Sequence, residues 1–187
     1  MRALLHYINY YQSEKVRWME RIYGLAPVVG NDPRVLILGS MPSEQSLQKQ
    51  EYYGNKRNHF WTIMLELFNS HERSDYEEKI SFLKKHKIAL WDVLHSCHRE
   101  GSLDVNIKNE EPNEIEAFVK EYPTIRLIVC NGSKAFKSYQ KYIGINRFPG
   151  VEVIKLPSTS PVPGKYNKTL EGKIQEWKVI KKYLSDT

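Results

Sequence analysis

Apolar residues in this chain alternate between short runs and stripes of helical spacing. The apolar runs cover 35–38, 88–93, 125–130 and 151–156, the first unbroken and the others interrupted by Asp92, by Arg126, and by Glu152 and Lys155. Runs this short, with no polar alternation, are what parallel strands show when both faces are covered. Between them the spacing becomes helical. Phe60, Ile63, Met64, Leu67 and Phe68 share one stripe, ended by Asn69-Ser70, and Ile80 and Leu83 face inward from a helix over 76–85 whose far side is charged. Asn113 and Glu116 make a capping-box pattern ahead of Ile115, Phe118, Val119 and Tyr122, with Pro123 closing the helix. Ser133 starts a helix carrying Ala135, Phe136, Tyr139 and Tyr142, and the last helix, 171–184, repeats Ile174, Trp177, Ile180 and Leu184.

This order predicts an α/β fold: a three-layer sandwich with a central four-stranded parallel sheet flanked by helices. Leu4, Leu5, Ile8, Tyr11, Val16, Met19 and Ile22 add an N-terminal helical extension over 1–24. A single domain over 1–187, with its core at 34–184, is expected from the length. Four loops then leave one edge of the sheet, where open α/β folds bind ligands. They follow Gly39, Asp92, Asn131 and Leu156, the second being a long polar loop through HSCHREGSLDVNIKNEEP.

Charge narrows the class of partner. Lys and Arg number 28 against 22 Asp and Glu, a net charge of +6, and the basic residues are spread along the chain instead of forming a tail. That suits a polyanion, and twelve tyrosines and four tryptophans could supply stacking surfaces among the cations. Cys97 and Cys130 are the only cysteines, so no disulfide framework is expected and a reducing, cytoplasmic setting is the default. No apolar run nears the roughly 20 residues of a membrane span, and no membrane partner is expected.

Generic chemistries fit poorly. GSMPS lacks the Gly-Lys-Ser/Thr ending of a phosphate-binding P-loop, and no dinucleotide fingerprint or Gly-x-Ser-x-Gly elbow is present. His95, Cys97 and His98 are too close in sequence to converge readily on one ion, so no metal is expected. Asp92 and Asp104 could pair as carboxylates, but Asp104 after Gly101-Ser102 reads more simply as a turn residue.

The loops taken together carry a resemblance. RVLILGSMPSEQSL with YYGNKRNHFW, then ALWDVLHSCHREGSLD, then LPSTSP, resemble the uracil-DNA glycosylase superfamily, and within it the hypoxanthine-DNA (deoxyinosine) glycosylase family. The resemblance spans about 35–184. It implies an enzyme, monomeric and free of cofactor or metal, that binds DNA containing a deaminated base, flips that base from the stack and hydrolyses its N-glycosidic bond.

The resemblance also implies roles for residues. The general motif of the superfamily has a water-activating Asp or Asn where this chain has Met41. The hypoxanthine-specific family carries its catalytic Asn in Arg-Asn-x-Phe-Trp, which is Asn58 here. An amide is no base, but its carbonyl oxygen can orient a water, and an oxocarbenium-like sugar needs only a weak nucleophile. Tyr53 falls where related enzymes stack an aromatic on the flipped base. Gly39, Ser40, Met41, Phe60, Asp92 and Asn131 complete the expected base pocket, and Ser43, Ser46, Ser158, Thr159, Ser160 and Lys165 the contacts to the DNA backbone. Uracil or mismatch-specific excision, a catalytically inactive nucleic-acid-binding module and an enzyme on small nucleosides are the alternatives.

Overall fold

The computed structural model describes residues 20–70, 75–162 and 168–185. In chain order the elements are β1 (Arg21–Tyr23), β2 (Val35–Gly39), α1 (Glu44–Lys49), α2 (Phe60–Leu67), α3 (Tyr76–Lys85), β3 (Ile88–Asp92), β4 (Leu94–His98) and β5 (Lys108–Pro112). There follow α4 (Ile115–Glu121), β6 (Leu127–Asn131), α5 (Ser133–Tyr142), β7 (Glu152–Leu156) and α6 (Leu170–Trp177), which runs on as a 3-10 turn over Lys178–Tyr183.

The central sheet is four-stranded and parallel, in the order β3-β2-β6-β7. The α/β three-layer sandwich inferred from the apolar runs is the observed fold. β2 lies at the centre, and every one of its residues is buried because each face is covered. Val35 and Ile37 point into one cluster with Phe60, Met64, Leu83 and Trp177, from α2, α3 and α6. Leu36 and Leu38 point into the other with Phe118 and Tyr139, from α4 and α5. Local signals set the helix ends. Asp75 accepts from Glu77 N and Thr169 from Gly172 N as N-caps, and α3 carries Glu77 and Glu78 in its first turn with Lys84 and Lys85 in its last.

Several expectations are corrected. Residues 1–19 of the N-terminal helical extension lie outside the described residues, and Arg21–Tyr23, read as helical, is a strand. The long polar loop after Asp92 contains β4 and β5, which build a second, antiparallel sheet in the order β1-β4-β5. KNEEP has no apolar pattern because β5 is an exposed edge strand, where charges and proline discourage further pairing. It is held by partners distant in sequence: Arg21 Nη1 donates to Ser96 Oγ (2.6 Å) and pairs with Glu111 (3.0 Å). The stretch from Gly39 to Asn58 is not all loop, since α1 forms there with Ser43 as its N-cap. The capping box at Asn113 does not form: Asn113 Nδ2 donates instead to the carbonyl of Asp92 (2.9 Å), tying α4 to the end of β3.

Trp177 is wholly buried, packs edge-on against Phe60 (6.3 Å between ring centres) and donates from Nε1 to the Pro157 carbonyl (3.0 Å). Trp177→Ala is expected to cost about 3–5 kcal/mol through the cavity and the lost bond, read as a lower urea midpoint at unchanged slope.

Candidate active site

The parallel register brings four loop origins to one edge. Gly39 pairs with Asp92 across β2 and β3, and Asn131 with Leu156 across β6 and β7. The β2–β3 contact runs beyond the sheet, because Val93 N donates to Gly39 O (2.9 Å) and Leu94 N to Ser40 O (3.2 Å). A side chain at position 39 has no room: a Cβ there would sit 2.4 Å from Asp92 Oδ1, with the Tyr53 hydroxyl oxygen 3.7 Å away. Gly39, Asp92 and Tyr53 therefore meet at one point.

Tyr53 is a half-buried platform. Its ring stacks on Phe60 at 3.9 Å and 16°, while Phe60 itself is fully buried and supports the ring from below. Tyr53 has a φ of 54°, an uncommon conformation for a side chain of this size that costs on the order of 1–2 kcal/mol. Two long-range bonds hold it there. Trp61 Nε1 donates to Tyr52 O (3.1 Å), and Asn131 Nδ2 donates to the Tyr53 hydroxyl (3.0 Å). Burial, then the Asp92 carboxylate, raises the Tyr53 pKa, so the hydroxyl stays protonated.

Asn131 joins this platform to the loop after β7. Its Nδ2 also donates to Thr159 Oγ1 (2.9 Å), and its Oδ1 accepts from Thr159 N (3.0 Å). The next residue, Gly132, has a φ of 93°, and a Cβ there would lie 2.9 Å from Ser158 Cβ, so glycine permits the close approach of that loop. His59 N donates to Thr159 O (3.0 Å), which adds the segment before α2 to the same junction. Asn58 precedes it directly. Its Oδ1 accepts from Phe60 N (2.9 Å), an Asx-type turn that fixes the amide against the start of α2.

The remaining expected site residues divide by burial. Met41 is 7% exposed and packs with Leu38 and Val93, so it is core and cannot orient water. Ser46 and Thr159 were expected on the DNA side but are buried, and their hydroxyls are used internally, Ser46 Oγ by Gly54 N (3.1 Å) and Ser43 Oγ (3.1 Å). Ser158 is exposed, Ser43 and Ser160 half-buried, and Lys165 lies outside the described residues.

Sequence reasoning missed a polar cluster packed against GSMPS. Asp104, more than a turn residue, accepts from Ser40 Oγ (2.7 Å), and Glu44 N donates to Ser102 Oγ (2.9 Å), so this excursion clamps the loop from above. Asp104 presents an exposed outer surface, yet its carboxyl is turned toward protein atoms and that desolvation raises its pKa. Arg99 is buried and donates from Nη2 to the Pro42 carbonyl. Asp92 is buried, its Oδ2 has no hydrogen-bond partner among the described residues, and desolvation, with the nearby Asp104 charge adding and Arg99 opposing, pushes its pKa up to about 7. No short-range pattern marks Arg99 or Asp104, since both reach the site by folding back through the second sheet.

Cys97 and Cys130 are free and buried, and burial pushes the Cys130 thiol up to about 12. Among the described residues no three His, Cys, Asp or Glu side chains gather as metal ligands would, and no helix is long and apolar enough to cross a membrane. A hollow lined by Phe68, His86, Lys87 and Lys181 lies at the opposite, amino-terminal edge of the sheet and is unconnected to this site.

The sequence pattern of the Uracil DNA glycosylase superfamily matches residues 27–181. The chain belongs to that superfamily. Two relatives lie within it: a Hypoxanthine DNA glycosylase from Methanosarcina acetivorans, 37% identical over 84% of this chain and 96% of the relative, and one from Methanosarcina barkeri, 34% identical over 82% and 94%. The solution NMR structure of a candidate uracil DNA glycosylase from Methanosarcina acetivorans superposes with a TM-score of 0.75 at 35% identity, covering 88% of this chain and 99% of that one. The superfamily match thus covers β2 through α6, including all four strand-end loops and excluding β1.

Asp92 makes the stability of this superfamily member depend on pH. An unfolded Asp ionises near pH 3.8, whereas Asp92 in the folded chain does so near pH 7, so between these values unfolding releases a proton and stability falls as pH rises. Asp92→Asn, neutral at every pH, is expected to flatten that slope. Urea midpoints measured from about pH 4 to 8 should fall further in the wild type than in the variant; equal falls would trace the slope to another group.

Proposed function

We propose that the protein is a monofunctional DNA glycosylase that flips a deaminated base, hypoxanthine foremost, out of DNA and hydrolyses its N-glycosidic bond with a water oriented by Asn58. The observation that carries this reading is the junction at Asn131, which holds the Tyr53 platform, the 157–162 loop and the Asn58–His59 segment against one another. Hypoxanthine as the base is supported by the names of the two relatives.

In this reading the flipped base lies on the open face of Tyr53, whose other face is backed by Phe60. Gly39, with no side chain, lets the Asp92 carboxyl close against the strand end whose backbone, at Gly39, Ser40 and Met41, faces the base. Asp92 sits behind that backbone as a positioning group. The glycosidic bond breaks first: the bonding pair leaves with the base, and C1′ becomes an oxocarbenium-like cation. Asn58 Oδ1 takes one hydrogen bond from Phe60 N, and its second lone pair accepts from the water that adds to C1′; the proton this water sheds passes to solvent, from which the departed base anion takes one. The turn to α2 fixes the amide before substrate arrives, so little reorganisation is needed in the transition state. Ser43, Ser158 and Ser160 contact phosphates flanking the flipped nucleotide, and exposed Lys56, Arg57 and Lys168 supply the surrounding positive field.

Duplexes carrying one deoxyinosine, incubated with the protein and then treated with alkali, are expected to break at that position. Asn58→Ala should slow the breakage by about 100-fold or more while leaving duplex binding in place. Breakage at uracil but not inosine would move the protein to the uracil-specific reading, and tight binding without breakage would make it an inactive module. Duplex affinity should also fall linearly on a log–log plot against salt, with a slope of several units; a flat response would remove the phosphate-gripping surface from the reading.

A further inference from the structure

α6 buries a residue that a helix packed on a sheet rarely buries. Lys173 has 0% exposure and lies one turn before Trp177 on the same apolar stripe. Its Nζ donates to the Ser160 carbonyl at 3.3 Å. Burial holds its pKa below the usual lysine value, and burial together with the Lys173 charge lowers that of His59, whose Nδ1 is buried without a hydrogen-bond partner among the described residues. Ser160 follows Thr159, whose carbonyl accepts from His59 N, so the ammonium bonds one residue away from the junction with the Asn58–His59 segment.

Packing does not explain a lysine here. A methionine fills similar space along a similar unbranched chain and carries no desolvation cost, so what the position gains from lysine is the ammonium and its hydrogen bond to the Ser160 carbonyl. The location fits that view. Lys173 and Trp177 hold the 157–162 loop from beneath, at Ser160 O and Pro157 O, while His59 N holds it from the side at Thr159 O. One buried cation thus lies at the junction of the loop proposed to grip DNA and the segment proposed to orient water.

We propose that Lys173 is a positioning residue for base excision, a buried cation that holds the 157–162 loop against the Asn58–His59 segment through Ser160. This rests on the glycosylase function proposed above. The bond from Lys173 Nζ keeps the 157–162 loop, and with it the Thr159–His59 contact, in one arrangement, so the Asn58 amide that orients the water needs no reordering as the glycosidic bond breaks. The effect belongs to the rate of the chemical step, with little change in duplex affinity.

The test compares wild type, Lys173→Met and Lys173→Arg for single-turnover release of hypoxanthine, affinity for a deoxyinosine duplex, and thermal midpoint. Lys173→Met is expected to slow release about tenfold or more, with affinity within about threefold and a midpoint equal to or above wild type, and Lys173→Arg to restore part of the rate. Two results overturn the proposal: release by Lys173→Met within about threefold of wild type, or a loss of rate that follows a lower midpoint and is not restored by Lys173→Arg. The wild-type arm separates the two readings. No release by wild type overturns the function itself, whereas equal release by wild type and Lys173→Met overturns only the part given to Lys173.

Discussion

Parallel pairing about β2 is the constraint from which the rest of the molecule follows. Parallel strands cannot be joined by hairpins, so each connection crosses back over a face of the sheet, and the sheet is covered on both sides. All four strands then finish on the same edge, with Gly39 beside Asp92 and Asn131 beside Leu156. Segments far apart in sequence acquire a common meeting place before any side-chain chemistry is specified.

What joins the loops at that edge is an amide. Asn131 uses both ends of its side chain, giving hydrogens to Tyr53 and Thr159 and taking one from Thr159 N. These bonds oppose the positive φ of Tyr53, and Phe60 backs the ring they orient. The site is built at a cost to stability. Asp92, Arg99 and Lys173 are all buried, and among the described residues Asp92 Oδ2 and two Arg99 nitrogens have no hydrogen-bond partner while Lys173 donates to Ser160 O. A fold selected for stability alone would fill these positions with apolar side chains, so their burial within reach of one sheet edge supports the site proposed there.

The second sheet has a related purpose. β5 folds back antiparallel on β4, and the connection between them delivers Arg99 to Pro42, Asp104 to Ser40 and Ser102 to Glu44 N. The GSMPS loop is thus clamped by residues from outside the central sheet. Lys134 and Lys141 both pair with Glu110 and fasten this outer sheet to α5, which keeps the clamp rigid with respect to the core.

The sequence by itself determined the central sheet and its flanking helices, because burial on both faces leaves short apolar runs and burial on one face leaves a helical stripe. The resemblance of its strand-end loops to the glycosylase family is what pointed to Tyr53, Asn58, Asp92 and Asn131, each of which lies in such a loop or at its origin. β1, β4 and β5 were not legible, because an exposed edge strand such as KNEEP is stabilised by its partners and not by its own pattern. The capping box at Asn113 was legible but not realised, since the Asp92 carbonyl competes for the same side chain. Burial of Ser46 and Thr159 was hidden for the same kind of reason, as a serine or threonine in a turn looks alike whether it faces solvent or another loop. Lys173 stood on the Trp177 stripe in plain view, yet periodicity alone cannot tell an ammonium that reaches out to water from one enclosed against Ser160. That difference depends on what packs over the helix, and only the tertiary structure decides it.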